Sequence, residues 1–176
     1  MPKTLQMSEL FNKCIEIILK SEGGYQNNPN DSGNWVGGFK SGKLVGTKYG
    51  IAAKYFPNED IKNLTLDRAK EIYYENFWLK MNLEGIKSHE AVLHIFDFGV
   101  NAGTRRSIKK AQRLALVEPD GYIGNKTIEA INNYKGDFVE DFKEVRRKYY
   151  IALSERKPHN NIFLNGWLKR VDHTIF

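Results

Sequence analysis

The chain has 176 residues, 41% of them hydrophobic and 27% charged, and a formal net charge of +6. That length allows one domain, or one domain of two closely packed lobes, around a sizeable core. No apolar run approaches the ~20 residues of a membrane span, and the single cysteine, Cys14, excludes an intrachain disulfide and a cysteine-built metal site. The positive charge favours anionic partners, yet the basic residues fall in short groups such as Arg105-Arg106, Lys109-Lys110 and Arg146-Arg147-Lys148. They form no long tract and no nucleic-acid-binding motif, so we expect no nucleic-acid partner. His89, His94, His159 and His173 lack ligand spacing, and we expect no metal or other cofactor.

The first predicted helix runs from a Ser8 cap to Ser21. Phe11, Cys14, Ile15, Ile18 and Leu19 draw one apolar stripe on it, with Cys14 as core packing. Glu22 continues that stripe, and Gly23-Gly24 stop the helix. The spacing therefore places a carboxyl at a helix C-terminus, turned toward the apolar side. The partial negative charge of that terminus and desolvation both disfavour its charged form, as suits a general acid. The other reading is a glutamate that reaches solvent where its helix frays.

A Gly- and Asn-rich loop follows over about 23 to 50, with a hairpin around Lys40-Ser41-Gly42-Lys43 and two or three short strands in all. Asp31, in Asn30-Asp31-Ser32-Gly33, either closes a turn through backbone bonds or supplies a second carboxylate. Thr65 caps a second helix whose buried face carries Leu66, Ala69, Ile72, Tyr73 and Phe77. A third helix starts near Ser88 and is apolar nearly all round toward its end, which predicts a central, buried position. Asp97, among Phe96 and Phe98, reads as an anchor that bonds backbone amides. Trp78 and Trp167 read as core. A fourth helix bears Ile108, Ala111 and Ala115, and a turn at Pro119-Asp120-Gly121 leads to a short helix with Thr127, Ile128 and Ile131. A long helix over about Asp137 to Glu155 and a short one with Trp167, Leu168 and Val171 close the chain. The residues alone predict a mainly α protein with a small β element.

Several blocks carry a family resemblance. Glu22-Gly23-Gly24-Tyr25, Pro29-Asn30-Asp31-Ser32-Gly33 and Thr47-Lys48-Tyr49-Gly50-Ile51 resemble glycoside hydrolase family 108, the N-acetylmuramidases of phages and bacteria. Phe96-Asp97-Phe98-Gly99-Val100-Asn101-Ala102-Gly103 is similar to that family's central helix and the turn after it. Pro119-Asp120-Gly121-Tyr122-Ile123-Gly124 resembles the turn of its C-terminal half and of small peptidoglycan-binding modules. Arg147-Lys148-Tyr149-Tyr150 and the stretch Phe163 to Arg170 resemble its closing segment, so the likeness spans about residues 8 to 172. The order Glu22, Asp31, Thr47 also resembles the catalytic triad of phage-type lysozymes. Those place the Thr a few residues after the Asp, whereas sixteen positions separate them here, filled by an inserted hairpin over Trp35 to Gly46.

The resemblance implies a lysozyme-like α+β fold with a small β-hairpin lobe beside the active-site cleft. Residues 1–176 are expected to form one muramidase domain. Its catalytic lobe covers about 8–100 and its helical, peptidoglycan-binding-like lobe about 101–176. The implied activity is that of a lysozyme of endolysin type, cleaving the β-1,4 bond between N-acetylmuramic acid and N-acetylglucosamine. Glu22 is the implied general acid, with Asp31 and Thr47 as catalytic partners that hold water or stabilise positive charge. Tyr25, Tyr49, Asn101 and Tyr122 are candidate substrate contacts. Tyr25 and Tyr49 also have a structural reading as core packing, Asn101 as a helix cap and Thr47 as a strand former. Peptidoglycan strands are the expected partner of a monomer that inserts in no membrane. A lytic transglycosylase, a non-catalytic wall-binding module and a basic nucleic-acid binder are the alternatives. Met1 to Glu9 does not read as a signal peptide. The expectation is synthesis in the bacterial cytoplasm and action at the wall after holin- or secretion-system-dependent release.

Overall fold

The computed structural model describes residues 6–176. The N-terminal stretch read as lacking a signal peptide lies in part outside the described residues. Helix α1 spans Glu9–Lys20, and the Ser8 hydroxyl caps it by accepting from the Phe11 amide at 3.1 Å. Its predicted stripe holds: Phe11, Cys14, Ile15 and Ile18 are buried. Burial alone pushes the Cys14 thiol up to about 12, so it is an inert packing group.

Four strands of two residues each follow, one or two more than the sequence predicts, because two hairpins form instead of one. β1 (Trp35–Val36) pairs antiparallel with β2 (Lys43–Leu44) around the predicted Lys40–Lys43 turn. β3 (Thr47–Lys48) pairs with β4 (Ile51–Ala52), and Gln26 bridges to Thr47 on the other side of β3. The β3–β4 turn needs Tyr49 at φ 51° and Gly50 at φ 75°, both in the left-handed region.

α2 spans Leu66–Tyr73 and is capped by Thr65. It continues as a π-helical segment, Tyr74–Trp78, before the short α3 at Leu79–Met81. The wider π turn moves the buried face, so Tyr74 and Trp78 enter the core while Phe77 is only half-buried. α4 (His89–Ala102) is capped by Ser88, and every residue from Ala91 to Gly99 is buried. Its Phe96 packs edge-on against Trp78 at 4.9 Å and Phe11 at 6.0 Å. Two residues on, and so on the opposite side of the helix, Phe98 meets Phe142, Tyr149 and Tyr150 on α7 (Phe138–Arg156). α4 is thus the shared core of both halves, as its all-round apolar sequence predicts.

α5 (Thr104–Leu114) and α6 (Asn125–Asn132) flank the Pro119–Gly124 turn. The buried Gln112 side chain holds that turn through the Asp120 carboxylate, the Tyr122 carbonyl and the Gly121 amide, at 2.8 to 2.9 Å. α8 (Asn161–His173) lies against α7, where Trp167 stacks on Tyr150 at 5.2 Å. Trp167 is half-buried, whereas Trp78 is core.

Candidate active site

Glu22 follows the last turn of α1, where its amide still donates to the Leu19 carbonyl at 3.2 Å. The β3–β4 hairpin clamps the Gly-Gly turn behind it. The Tyr49 amide donates to the Gly23 carbonyl at 3.1 Å, and Gln26 and Thr47 exchange backbone bonds at 2.8 and 2.9 Å. Gly50 lies directly under the Glu22 carboxyl. A Cβ there would stand 3.0 Å from both Cδ and Oε2 of Glu22, and 2.4 Å from the Tyr73 hydroxyl. Only glycine meets both the backbone angle and this close approach. The Tyr73 hydroxyl donates to the Tyr49 carbonyl at 2.9 Å, which fixes the floor of the site. Burial, with the nearby Glu22 charge, pushes the Tyr73 phenol well above its ordinary range, so it stays a neutral donor.

The partner of Glu22 departs from the sequence expectation. The stripe on α1 predicts an apolar neighbourhood, but Arg170 of α8 donates from Nη1 to Glu22 Oε1 at 3.0 Å. Spacing along α1 carries no information about a residue 148 positions away. Arg170 is itself held by Asp97, through Nε and Nη2 to Oδ1 at 3.0 and 2.8 Å and through Nε to Oδ2 at 3.3 Å. Asp97 also accepts from Nη2 of the fully buried Arg146 at 2.5 Å. Arg146 Nη1 in turn donates to His94 Nδ1 at 2.7 Å. Asp97 therefore anchors two guanidinium groups, in place of the backbone amides its sequence context predicts.

The charges in this chain alternate from Glu22 to Arg146. Burial opposes ionisation of Asp97, but Arg170 and then Arg146 outweigh it and hold the carboxyl below its ordinary value. Burial, and after it Arg146, pushes His94 down to about 3, so it is neutral inside the fold.

Two cavities flank this point. The smaller, about 370 Å³, is lined by Ser21, Asp97, Asn101, Trp167 and Arg170 among others. The larger, about 580 Å³, runs from Gly50 and Ala52 past Asn76 and Phe77 of the π-helical segment to Asn101 and Thr104. It is the cleft between the β lobe and the helices. Asn101 lines both cavities, and its Nδ2 donates to the Tyr150 hydroxyl at 2.7 Å.

A family model described as Glycosyl hydrolase 108 matches residues 15–103. The chain belongs to glycosyl hydrolase family 108. A second model, described as a predicted peptidoglycan domain, matches residues 106–172. Together they make this family 108 protein a glycoside hydrolase of peptidoglycan. Among solved structures it is similar to SagA of Brucella abortus, with 27% identity and a TM-score of 0.72 over 93% of this chain and 90% of that one. The likeness agrees with the mainly α, lysozyme-like fold. No curated protein matches the chain.

The structure distributes the other candidate residues of the family 108 protein unevenly. Asp31 and Thr47 join one network with Gln26 and Asn34. Asp31 Oδ1 accepts from the Gly33 amide at 2.8 Å, and its Oδ2 from Gln26 Nε2 at 3.0 Å. The Thr47 hydroxyl donates to Asn34 Oδ1 at 2.7 Å. Asn34 is fully buried, and its amide donates to Gln26 Oε1 and the Asn28 carbonyl at 2.8 and 3.0 Å. Sequence reasoning missed Asn34, because a buried asparagine in a Gly/Asn-rich loop has no periodic signal. Tyr49 is half-buried, under the Lys48 ammonium at 5.2 Å. Tyr25 donates to the Val45 carbonyl at 2.7 Å and lines a separate groove with Val36, Leu44 and Ile61. Tyr122 is exposed beneath the Arg105 guanidinium at 5.4 Å and lines neither cavity beside Glu22.

Among the described residues, no helix is long and apolar enough to cross a membrane.

Proposed function

We propose that the chain is a lysozyme of endolysin type. It cleaves the β-1,4 bond between N-acetylmuramic acid and N-acetylglucosamine, and Glu22 is its general acid. The observation that carries this reading is the placement of the Glu22 carboxyl on Gly50, at the edge of the 580 Å³ cleft.

The division of Arg170 supports the role. Three of its four carboxylate contacts go to Asp97, and one, from Nη1, goes to Glu22. Asp97 therefore keeps the guanidinium in place while the Glu22 carboxyl turns away. In the proposed cycle, Glu22 leaves Arg170, gives a proton to the leaving glycosidic oxygen and returns as carboxylate to Arg170. Asp31, with Thr47 behind it through Gln26 and Asn34, orients the attacking water or stabilises the oxocarbenium-like sugar. Asn101 is the proposed sugar contact in the cleft and Tyr49, next to the cleft residue Gly50, one at its edge, while Tyr25 and Tyr122 would serve strands that extend beyond it.

The test is digestion of purified peptidoglycan with the wild type and with Glu22→Gln, and mass spectrometry of the new chain ends. Wild type should release reducing N-acetylmuramic acid ends. The variant should fold normally and lose at least ~10²-fold in rate, the lower range for a general acid. Anhydro-muramyl ends would assign a transglycosylase, and a variant that retains more than about a tenth of the rate would remove Glu22 from the role.

A further inference from the structure

On the C-terminal half, α5 and the end of α7 enclose a groove of about 430 Å³ that the catalytic reading does not use. Arg105, Arg106, Lys109, Lys110 and Arg113 line it from α5, and Arg156 from α7. The remaining lining residue is Tyr149. On α5 these cations recur at four-residue spacing, as Arg105–Lys109–Arg113 and Arg106–Lys110, and like charges so placed repel within a helix. Elsewhere on the surface Lys13, Arg68, Lys143 and Arg147 have carboxylate partners. Among the described residues no carboxylate pairs with any of the six groove cations. The repulsion is felt inside the groove: burial, with Arg113, Arg106 and Arg156, pushes the Lys110 ammonium below its ordinary value. Arg105, Arg106 and Arg156 donate to the Asp120, Ala102 and Ala152 carbonyls, but these neutral partners leave the positive charge of the groove uncompensated, which suits an anion.

We propose that this groove binds a strand of phosphodiester-linked polyol, with successive phosphates paired to the α5 cations and Arg156.

The lining selects among anions. It presents guanidinium and ammonium donors and, apart from the Tyr149 hydroxyl, no side-chain acceptor. A peptide strand brings amide donors that would find no partner here, whereas a phosphodiester chain brings acceptors at every repeat, in the forked geometry arginine matches. A bilayer surface is flat and does not enter a concavity between two helices. A nucleic-acid strand would need aromatic faces for its bases, and the Tyr149 ring is already covered by the Arg106 guanidinium at 5.3 Å. Gly103 and Thr104 line the cleft, and Arg105 and Arg106, next in sequence at the start of α5, line the groove. A strand held there keeps the enzyme against the wall while the cleft works on glycan.

The probe is end-labelled poly(glycerol phosphate), titrated against the full chain by fluorescence anisotropy over a range of salt. The wild type should bind with a steep salt dependence. R106Q/K110Q/R113Q should weaken binding at least tenfold and lower the log–log salt slope by about 2, at ~0.7 per neutralised phosphate on a single strand. Its melting temperature should not fall, since like-charge repulsion is removed. Its rate on soluble glycan fragments should be unchanged. R106K/R113K, which keeps the charge but loses the fork, should keep the wild-type salt slope and lose less affinity than the triple variant. Glu22→Gln should bind the polymer as wild type does, so this result stands apart from the catalytic assignment. Wild-type affinity in the triple variant overturns the proposal. So does equal or tighter binding of polyglutamate, of phosphatidylglycerol vesicles, or of single-stranded DNA with the same number of phosphates.

Discussion

Asp97→Asn should be the most damaging single substitution in the charged core, even though it deletes only one charge. Asp97 is 1% exposed and Arg146 is fully buried. Arg146 already carries an unpartnered buried Nε, so it has no reserve contact. The carboxylate accepts from both guanidinium groups, and an asparagine turns half of its polar edge into a donor facing other donors. Removing one member of a buried ion pair costs about 3–5 kcal/mol, because the other is left charged and unsolvated. At roughly 2–4 °C per kcal/mol for a chain of this size, the melting temperature should fall by about 6–20 °C. Thermal unfolding followed by circular dichroism at neutral pH measures this directly. Acidification should approach the same state from the wild type. The folded carboxyl lies below its ordinary value of 3.8, so its stabilisation is present above that pH and is lost as pH falls below it. The asparagine variant lacks this loss. A fall of less than about 1 kcal/mol at neutral pH would show that Asp97 does not organise the two arginines. Adding Arg146→Met to the variant should restore part of the stability, as expected when the stranded charge is the source of the cost.

Other outcomes follow from the same geometry. His94 is held neutral down to about 3 in the fold, while an unfolded histidine protonates near 6.5. The unfolded state therefore binds more protons across that window, and stability should decline as pH falls from about 6.5 toward 3; His94→Gln should flatten this slope in urea-unfolding midpoints. Asp31→Asn should change stability by no more than about 1 kcal/mol, as for exposed positions, and should slow peptidoglycan hydrolysis; a collapse in melting temperature with full activity in the folded fraction would assign Asp31 to turn closure alone. A fragment ending at residue 100 should show no cooperative denaturant transition, because it bares Phe98, whose ring packs on Phe142 and Tyr150. A cooperative, active fragment would show instead that the second half is a separable module.

Local chemistry made much of the fold legible. Ser8, Thr65 and Ser88 each accept from an amide three residues on, a contact that depends only on neighbours in sequence. The same holds for Asp137, which the sequence places at the start of the long helix and which caps it through the Glu140 amide. The buried face of α4 was legible because an all-round apolar helix has no other stable position. The π-helical segment was not, since Tyr, Phe and Trp satisfy either register and only tertiary packing chooses between them. Within the site, Glu22 stood out because a helix stop follows it at once. Asn34 gave no signal, because its four side-chain hydrogen bonds are with Gln26, Asn28 and Thr47, whose meeting is set by two hairpins.

Arg170 was illegible for a further reason, and that reason bears on how the two halves work. The glycosyl hydrolase match ends at residue 103, and Arg170 lies in the peptidoglycan-domain match. Yet Arg170 is the residue that touches Glu22, so the proposed acid is completed from the other half of the chain. Arg170 also shares Asp97 with Arg146, whose partner His94 sits one turn earlier on α4. The carboxyl at the cleft and the buried charges of the core are therefore one hydrogen-bonded system. A change that loosens Asp97 frees Arg170 to close more fully on Glu22, which opposes its release to the glycosidic oxygen. Stability and rate should then fall together for substitutions at Asp97 and Arg146, although neither needs to touch substrate. Substitutions at Glu22 act only at the half-exposed end of the system and should separate the two.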